Sequence, residues 1–264
     1  MSNDLDLRFR DRMHLVLHNI VSRTGVGGLK PVAVKRIGTQ FELTIQEHRL
    51  LVPSALLWRS YRRGWTARMQ RLAAEFGLDG TFKLAPGDTV IDIGANVGDF
   101  ALLAAGQGAK VLCLVGDPVV VECLNANIAA TPDISTDCAI LWKEACELTF
   151  YSAPGKADSS IFLPPGEGVA AFTAQAQTLD AVAARHNLGD VTLLKMDAEG
   201  AEPEVLQGAT EVLKRTRHVA IDTGPERNGA ETGAECAEIL RAAGFTLLPS
   251  PATKRRMTFA SRAV

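Results

Sequence analysis

The chain has 264 residues, of which 47% are hydrophobic and 22% are charged. These proportions are typical of a folded protein with a sizeable core, and they exclude wholesale disorder. With 28 basic and 30 acidic side chains the net charge is −2, so the whole molecule has no bulk attraction for nucleic acid. The charge is uneven, because residues 1–71 carry 13 Lys and Arg against 5 Asp and Glu, a balance of +8.

The cysteines and the N-terminus indicate a cytoplasmic protein. None of the five cysteines belongs to a C-x-x-C pair, which argues against a zinc site or a disulfide scaffold. The first twelve residues alternate in charge where a signal peptide needs an apolar core, and no apolar run approaches the roughly 20 residues that span a bilayer. We therefore expect no integral membrane contact.

The first 80 residues are predicted to form a basic extension of helices and short strands. Apolar residues at helical spacing predict a helix over residues 5–22, short strands follow over 31–52, and a second basic helical stretch covers 54–76. The arginines of that second stretch suit an anionic acceptor or a loose membrane contact, and a solvated helical face is the alternative. We expect a cap over the acceptor pocket rather than a membrane anchor.

From residue 81 onward, strands alternate with helices. The predicted strands cover residues 89–93, 110–115, 138–142, 191–196, 218–222, 245–248 and 256–260, and the predicted helices cover 100–105, 118–129, 178–186, 203–213 and 234–243. Residues 148–168 are expected to form a hairpin and a loop. This alternation predicts an α/β fold with a mostly parallel sheet, and the last two strands, which no helix separates, predict an antiparallel edge.

The sharpest local pattern is V-I-D-I-G-A-N-V-G-D at residues 90–99, an apolar strand that turns through glycines into a helix. Dinucleotide-binding loops favour G-x-G-x-x-G, but Asn96 stands at the position of the second glycine. Asp92 would repel a pyrophosphate and suits a ligand with an ammonium group, which favours S-adenosylmethionine over NAD. The residues expected to bind this cofactor are Asp92, Gly94, Ala95, Asn96 and Gly98.

Two blocks of sequence resemble the FkbM-type family of S-adenosylmethionine-dependent methyltransferases. The first is VIDIGANVGDFALLAA, and the more specific second block, residues 178–209, contains L-K-M-D-A-E-G-A-E followed by V-L-Q-G-A. The resemblance covers roughly residues 87–248 and identifies residues 81–264 as the cofactor-binding domain. It implies a Rossmann-like seven-stranded sheet whose last strand is antiparallel, and methyl transfer to a hydroxyl of a sugar or a natural product.

The second strand departs from that family pattern. The resemblance places an acid that accepts both ribose hydroxyls at the position of Val115, and a proline at the position of Gly116. Asp117 is the nearest acid, and a bulge at Gly116 could present it to the cofactor. We expect Asp117 to bind the cofactor through such a bulge.

Acidic residues follow the strand at residues 191–196. Asp197 is the first candidate for a general base and for cofactor contact, and Glu199 is the second candidate base. A structural role for Asp197, as a helix cap or as a partner of Lys195, is the alternative. Asp222, with Glu226 and Arg227, is expected to line the acceptor pocket. No metal is assigned, although oxygen ligands from Asp197, Glu199 and Asp222 would suit Mg²⁺.

The leading interpretation is an O-methyltransferase whose acceptor is a small molecule, either a saccharide or an anionic compound. A non-catalytic binding or scaffold protein on a degenerate methyltransferase domain remains open, because of Val115. An NAD-dependent dehydrogenase is disfavoured by Asn96. Methylation of nucleic acid is disfavoured because no aromatic-proline tetrapeptide of the amino-methylating type follows the fourth strand. The oligomeric state is left open.

Overall fold

The computed structural model describes residues 7–153, 155, 159–164, 169–250 and 252–262. The strands are β1 (Val32–Ile37), β2 (Gln40–Ile45), β3 (His48–Val52), β4 (Thr89–Ile93), β5 (Lys110–Val115), β6 (Ile134–Cys138), β7 (Ile140–Leu141), β8 (Cys146–Ser152), β9 (Ala170–Gln177), β10 (Val191–Met196), β11 (Thr216–Asp222), β12 (Thr246–Leu248) and β13 (Met257–Ser261). The α-helices are α1 (Phe9–Ser22), α2 (Trp65–Glu75), α3 (Asp99–Ala105), α4 (Pro118–Ile128), α5 (Leu179–Arg185), α6 (Glu202–Gln207), α7 (Thr210–Lys214) and α8 (Gly233–Ala242), and 3-10 helices cover Val26–Gly28 and Ala55–Tyr61.

The central sheet confirms the predicted fold class. Its seven strands lie in the order β12-β13-β11-β10-β4-β5-β6, and all pairs are parallel except those that involve β13. The antiparallel β13 lies beside the edge strand β12. Every residue of β10 is buried, as expected for a central strand that helices cover on both faces. The parallel strands β4, β5 and β10 end side by side, which brings their carboxyl ends to one edge.

Three predicted elements differ from the structure. The predicted strand 138–142 was wrong. In chain order, the third strand of the central sheet is β6, which ends at Cys138. The chain leaves this sheet at Ala139, and β7 pairs with β9 instead. Residues 54–76 form a 3-10 helix and then α2, because Gly64 between them has a φ of +88°. Residues 203–213 form α6 and α7, separated near Gly208, where a Cβ would lie 2.4 Å from the carbonyl oxygen of Trp142.

A three-stranded sheet, here called the small sheet, includes the first residues of the predicted hairpin and loop, because β8 extends to Ser152. Its order is β7-β9-β8, with β8 and β9 antiparallel. The loop predicted near residue 168 falls partly at residues 154, 156–158 and 165–168, outside the described residues. Phe150 of β8, with Ser159 and Ser160 from beyond that strand, lies beside the carboxyl ends of the central strands.

The N-terminal extension packs against the segment that follows β4. The three-stranded sheet β1-β2-β3, the helix α1 and the 3-10 helix Ala55–Tyr61 share a hydrophobic cluster that includes Val97 and Cys123. Asn127 of α4 adds hydrogen bonds to this contact between the extension and the rest of the chain. Its side-chain amide donates to the carbonyl oxygens of Leu51 (2.9 Å) and Val97 (2.9 Å), and its Oδ1 accepts from the Leu51 amide (2.7 Å). One side chain thus connects β3, the loop after β4 and α4.

We predict that Asn127→Ala destabilises the protein. The variant loses three hydrogen bonds, which at about 0.5–1.5 kcal/mol each lowers the free energy of unfolding by roughly 2–4 kcal/mol. Urea unfolding measures the difference. Asn125→Ala is the matched control on the same helix, because the exposed Asn125 has one side-chain hydrogen bond among the described residues, accepted from the Thr136 hydroxyl (2.6 Å). Equal losses for both variants would contradict the assigned role of Asn127.

Candidate active site

One cavity of about 390 Å³ lies at the carboxyl ends of β4, β5 and β10. The loop after β4 and the ends of β5 and β10 form its floor. The 3-10 helix Ala55–Tyr61 and α2 form its roof, and the small sheet forms one side. Among the sequence-predicted site residues, the lining includes Gly94, Ala95, Asn96, Asp117, Asp197 and Glu199.

Asp92 does not line this cavity. It is completely buried, and its Oδ1 lies 2.8 Å from Nζ of Lys195, which is itself 3% exposed. Lys195 also donates to the carbonyl oxygens of Ile93 (3.0 Å) and Gly94 (2.9 Å). Burial raises the pKa of Asp92, and the Lys195 ammonium opposes that rise. Asp92 therefore acts on the site through Lys195, which holds the start of the glycine loop.

The glycine loop packs so closely against neighbouring residues that side chains at two of its positions would clash. Gly94 has a φ of +69°, and a Cβ there would lie 1.9 Å from the carbonyl oxygen of Asp197. At Gly98, with a φ of +97°, a Cβ would meet Leu124 at 2.8 Å. Asn96 also has a left-handed backbone, and its Oδ1 is buried with no partner among the described residues. An acceptor atom at the cavity wall is thus left for a ligand that donates hydrogen bonds.

The end of β5 contains no bulge. The parallel pairing of β5 with β6 continues in register to Val115 opposite Cys138. Val115 lines the cavity, and a Cβ at Gly116 would lie 2.9 Å from Ile140, so the turn needs a glycine. The bulge that we expected at Gly116 is therefore absent.

Asp117 lines the cavity, but both of its oxygens already accept hydrogen bonds. Oδ1 caps α4 by accepting from the Val119 amide (3.0 Å). Oδ2 accepts from the hydroxyls of Ser152 (2.6 Å) and Ser159 (2.7 Å). This network makes Asp117 a helix cap that also ties the small sheet to the cavity, and the expectation that Asp117 also binds the cofactor is untested.

Asp99, in the first turn of α3, joins the floor of the cavity to its roof. Its carboxylate accepts from the Tyr61 hydroxyl (2.7 and 2.8 Å) and from Nε of Arg68 (2.7 Å). Burial, and then the Asp99 carboxylate, raise the pKa of Tyr61. The sequence did not predict this trio, because no local pattern links a residue of α3 to the N-terminal extension.

Asp197 faces an arginine from the far end of the chain. Nη1 of Arg255 lies 2.6 Å from Oδ2 of Asp197 and 2.5 Å from Oδ2 of Asp222, and its Nε lies 3.8 Å from Glu75. Burial opposes ionisation of Asp197, but Arg255 and then Lys195 outweigh it and lower its pKa. Asp197 is therefore an anion near neutral pH, and Arg255 neutralises a cluster that the sequence had not connected to it.

Glu199 and Glu202, which are close in sequence, have different environments. Glu199 lines the cavity, with a φ of +52°. Glu202 is fully buried: Oε1 accepts from the amides of Ala198 (3.1 Å) and Gly200 (2.9 Å), and Oε2 accepts from the Thr232 hydroxyl (2.8 Å). Glu202 thus fixes the loop that carries Asp197 and Glu199. Glu202 is the second glutamate of the D-A-E-G-A-E stretch, and its role is therefore structural.

Asp222, Glu226 and Arg227 lie outside the cavity lining, so the expected acceptor wall is not formed by them. Arg227 donates to the Gly200 carbonyl (2.7 Å) and pairs with Glu204. Burial and then Asp197 raise the pKa of Asp222 to about 6, and the same causes raise the pKa of Glu226 to about 8.

Oxygen atoms of Asp197, Asp222 and Glu226 lie within 4.8 Å of one another, close enough to share a metal ion. This set contains Glu226 in place of Glu199, which we had grouped with Asp197 and Asp222. The Arg255 guanidinium bridges Asp197 and Asp222, and so supplies the positive charge that these carboxylates need.

The sequence model of the methyltransferase FkbM domain matches residues 92–247. The chain belongs to the FkbM methyltransferase family. Membership confirms the resemblance drawn from the sequence, and with it a methyltransferase that uses S-adenosylmethionine. The comparison with curated proteins gave no match. No helix of the described residues is long and apolar enough to cross a membrane.

Solved structures similar to this chain include other methyltransferases. Magnesium protoporphyrin IX methyltransferase from Synechocystis PCC 6803, with bound S-adenosylmethionine, is 13% identical; the match covers 98% of this chain and 99% of that one, with a TM-score of 0.46. Fibrillarin from Aeropyrum pernix, in complex with natively bound S-adenosylmethionine, is 14% identical over 87% of this chain and 98% of that one, with a TM-score of 0.45. At these scores the likeness says nothing about the acceptor.

The residues of the cavity fit this cofactor. Its ammonium group needs hydrogen-bond acceptors and negative charge, and the cavity offers the unpartnered Oδ1 of Asn96 and the ionised Asp197. Gly94 lines the cavity as bare backbone, so no side chain there separates a ligand from the loop. Contact of the cofactor with each of these residues stays a prediction.

We predict that Glu226 makes the protein less stable as the pH rises. Its pKa is about 8 in the folded protein against 4.5 for a free side chain. Between these pH values the folded protein holds a proton on Glu226 that the unfolded chain has lost, so the free energy of unfolding falls as the pH rises through this range. Glu226→Gln removes that loss, and should be more stable than the parent above about pH 8, by on the order of 1–2 kcal/mol after allowance for its partial exposure.

Denaturant unfolding across this pH range measures the effect. The exposed Glu235→Gln is the control and should follow the parent at every pH. A Glu226→Gln variant whose stability changes with pH as steeply as that of the parent would show that the raised pKa is wrong.

A further prediction concerns cofactor binding by variants at Val115 and Asp117. Because Val115 lines the cavity, Val115→Glu should add a charged acceptor there and tighten binding of S-adenosylhomocysteine by roughly ten- to a hundredfold. Asp117→Asn keeps an oxygen to cap α4 and should leave binding within about twofold of the parent. Titration calorimetry measures both. Weaker binding by Asp117→Asn, with no gain from Val115→Glu, would instead make Asp117 the cofactor ligand.

Proposed function

We propose that this chain transfers the methyl group of S-adenosylmethionine to a hydroxyl of a small anionic molecule, such as an acidic saccharide. The observation that carries this proposal is the composition of the cavity wall. The floor carries the cofactor loop, and the roof contributes basic and polar residues of the N-terminal extension. The two reactants would then meet between the floor and the roof, which supports the role of residues 1–80 as a cap.

Arg71 is the roof residue best suited to an anionic acceptor. Its side chain is 48% exposed, and it lines the cavity together with Ser60 and Leu57. Its contacts within the protein are long, at 3.9 Å to Glu75 and 3.5 Å to the Ser60 carbonyl. A guanidinium with such weak partners retains donors for a carboxylate or a phosphate. Arg68 differs, because it is committed to Asp99.

The cofactor, when bound, supplies an electrophilic methyl group, and the protein's task is mainly to align the acceptor with it. Asp197 is ionised near neutral pH and lines the cavity, so it can accept a hydrogen bond from the acceptor hydroxyl and orient its lone pair. Its lowered pKa makes it a weak proton acceptor. Glu199, on the same wall, is the second carboxylate that can receive the proton.

A non-catalytic binding protein is the second candidate, and one observation favours it. Val115 places no acid at the end of β5, and Asp117 already has a hydrogen-bond donor for each oxygen. A domain that binds the cofactor weakly could survive as a scaffold. The close packing of Gly94 against the Asp197 carbonyl and the loop that Glu202 fixes favour a retained catalytic function.

The test begins with calorimetric titration of S-adenosylmethionine and continues with methyl transfer to paired acceptors, a uronic acid and its neutral hexose. We predict binding, and turnover with the acidic acceptor. Arg71→Ala should raise KM for the acidic acceptor about tenfold and leave kcat within about threefold, because it removes binding that ground state and transition state share. Arg71→Lys should restore part of the loss.

Arg63→Ala is the matched control, since Arg63 is exposed and does not line the cavity. Cofactor binding without transfer to either acceptor would favour the scaffold. If the protein methylates the neutral hexose and Arg71→Ala does not change that rate, the anionic acceptor is wrong, but the methyltransferase activity is supported. Failure to bind the cofactor would overturn the proposal.

A further inference from the structure

The helix α1 presents an apolar face to solvent. Phe9, Met13, Val16, Leu17 and Ile20, here called the α1 stripe, are spaced so that they lie on one side of the helix. Each is between 47% and 78% exposed. Large apolar side chains that are exposed together on one face indicate a surface that something else covers.

The opposite side of α1 is anchored, so the stripe has a fixed orientation. Leu15 is buried, and Asn19 exchanges two hydrogen bonds with the backbone of Val32 (2.9 and 3.0 Å). Nε2 of His18 lies 2.9 Å from the Lys30 carbonyl oxygen. Asp11 pairs with Arg59 of the 3-10 helix at 2.7 Å. Polar contacts thus hold the buried side of the helix, while its most apolar side faces outward.

Basic residues border the stripe on both sides. Arg10 precedes Met13 and Leu17 by three and seven positions, and Arg23 follows Ile20 by three, so each lies next to the stripe on the helix surface. Both are exposed. Asp11, the single acid of the helix, is on the anchored side and is neutralised by Arg59. The partner of this face therefore combines apolar and anionic groups.

A membrane that contains anionic lipids has this combination. An amphipathic helix lies in the plane of such a surface, with its apolar side chains among the acyl chains and its basic residues at the headgroups. A second copy of the chain fits less well, because a symmetric contact would set this face against itself, and the single acid of α1, Asp11, lies on the anchored side. The +8 balance of residues 1–71 adds attraction to an anionic surface.

We propose that α1 binds this protein peripherally to membranes that contain anionic lipids, through the α1 stripe and its bordering arginines. The helix is anchored to the 3-10 helix Ala55–Tyr61, which also forms part of the cavity roof. Binding would hold the protein at the membrane surface without a span across the bilayer.

The experiment is sedimentation of the full chain with vesicles of phosphatidylcholine, with and without phosphatidylserine. We expect binding to the phosphatidylserine vesicles that weakens as salt is added. The double variant Phe9→Ser/Leu17→Ser should bind at least tenfold more weakly, and Arg10→Glu/Arg23→Glu should lose the preference for phosphatidylserine. The control is Leu163→Ser, at a residue 60% exposed elsewhere on the surface, which should bind as the parent does.

Other outcomes overturn the proposal. Thermal unfolding should give the same Tm for the parent and the stripe variant, because these side chains are exposed. Absence of binding to phosphatidylserine vesicles, or binding that the stripe variant retains, would contradict the role of α1. Equal binding to both kinds of vesicle would contradict the role of the arginines. A parent that is a dimer in sedimentation velocity and binds no vesicles, with a monomeric stripe variant, would assign the face to a second copy.

Discussion

The buried ammonium of Lys195 is the interaction on which the geometry of the site depends. Its Nζ forms an ion pair with Asp92 at 2.8 Å and donates to the carbonyl oxygens of Ile93 (3.0 Å) and Gly94 (2.9 Å). A buried pair of this kind adds little net stability, but removing one partner leaves an unpaired charge and typically costs about 3–5 kcal/mol. The end of β4 is therefore held against β10, and Gly94 lies against the Asp197 carbonyl, where only glycine fits.

A second cation completes the electrostatics of the cavity. Arg255 lies between Asp197 and Asp222, and the environments of these carboxylates then diverge. Asp197 remains ionised, whereas the pKa values of Asp222 and Glu226 rise to about 6 and about 8 because they are buried beside other acids. Acids with different proton affinities thus occur within one small region, as sites that bind charged ligands often require.

The N-terminal extension belongs to the site as well as to the surface. Tyr61 and Arg68 hold Asp99 at the cavity floor, while Asn127 ties β3 to the loop after β4. Through Arg59 and Asp11 the same extension carries α1. A basic segment that the sequence set apart from the methyltransferase domain is thus the part of the molecule that faces both the proposed acceptor and the proposed membrane.

The sequence by itself determined the succession of strands and helices, the glycine loop and the family, because each is encoded in a short stretch. Apolar periodicity predicted β4, β5 and β10, and the D-A-E-G-A-E stretch predicted carboxylates at the end of β10. The tertiary structure decided which charges meet. Asp92 pairs with Lys195, Asp197 with Arg255, and Asp117 with Ser152 of β8 and with Ser159, which lies beyond that strand. Those pairings join residues that are distant in sequence, so no local sequence pattern predicts them. They depend on the order of the strands in the sheet, which decides which strand ends lie side by side.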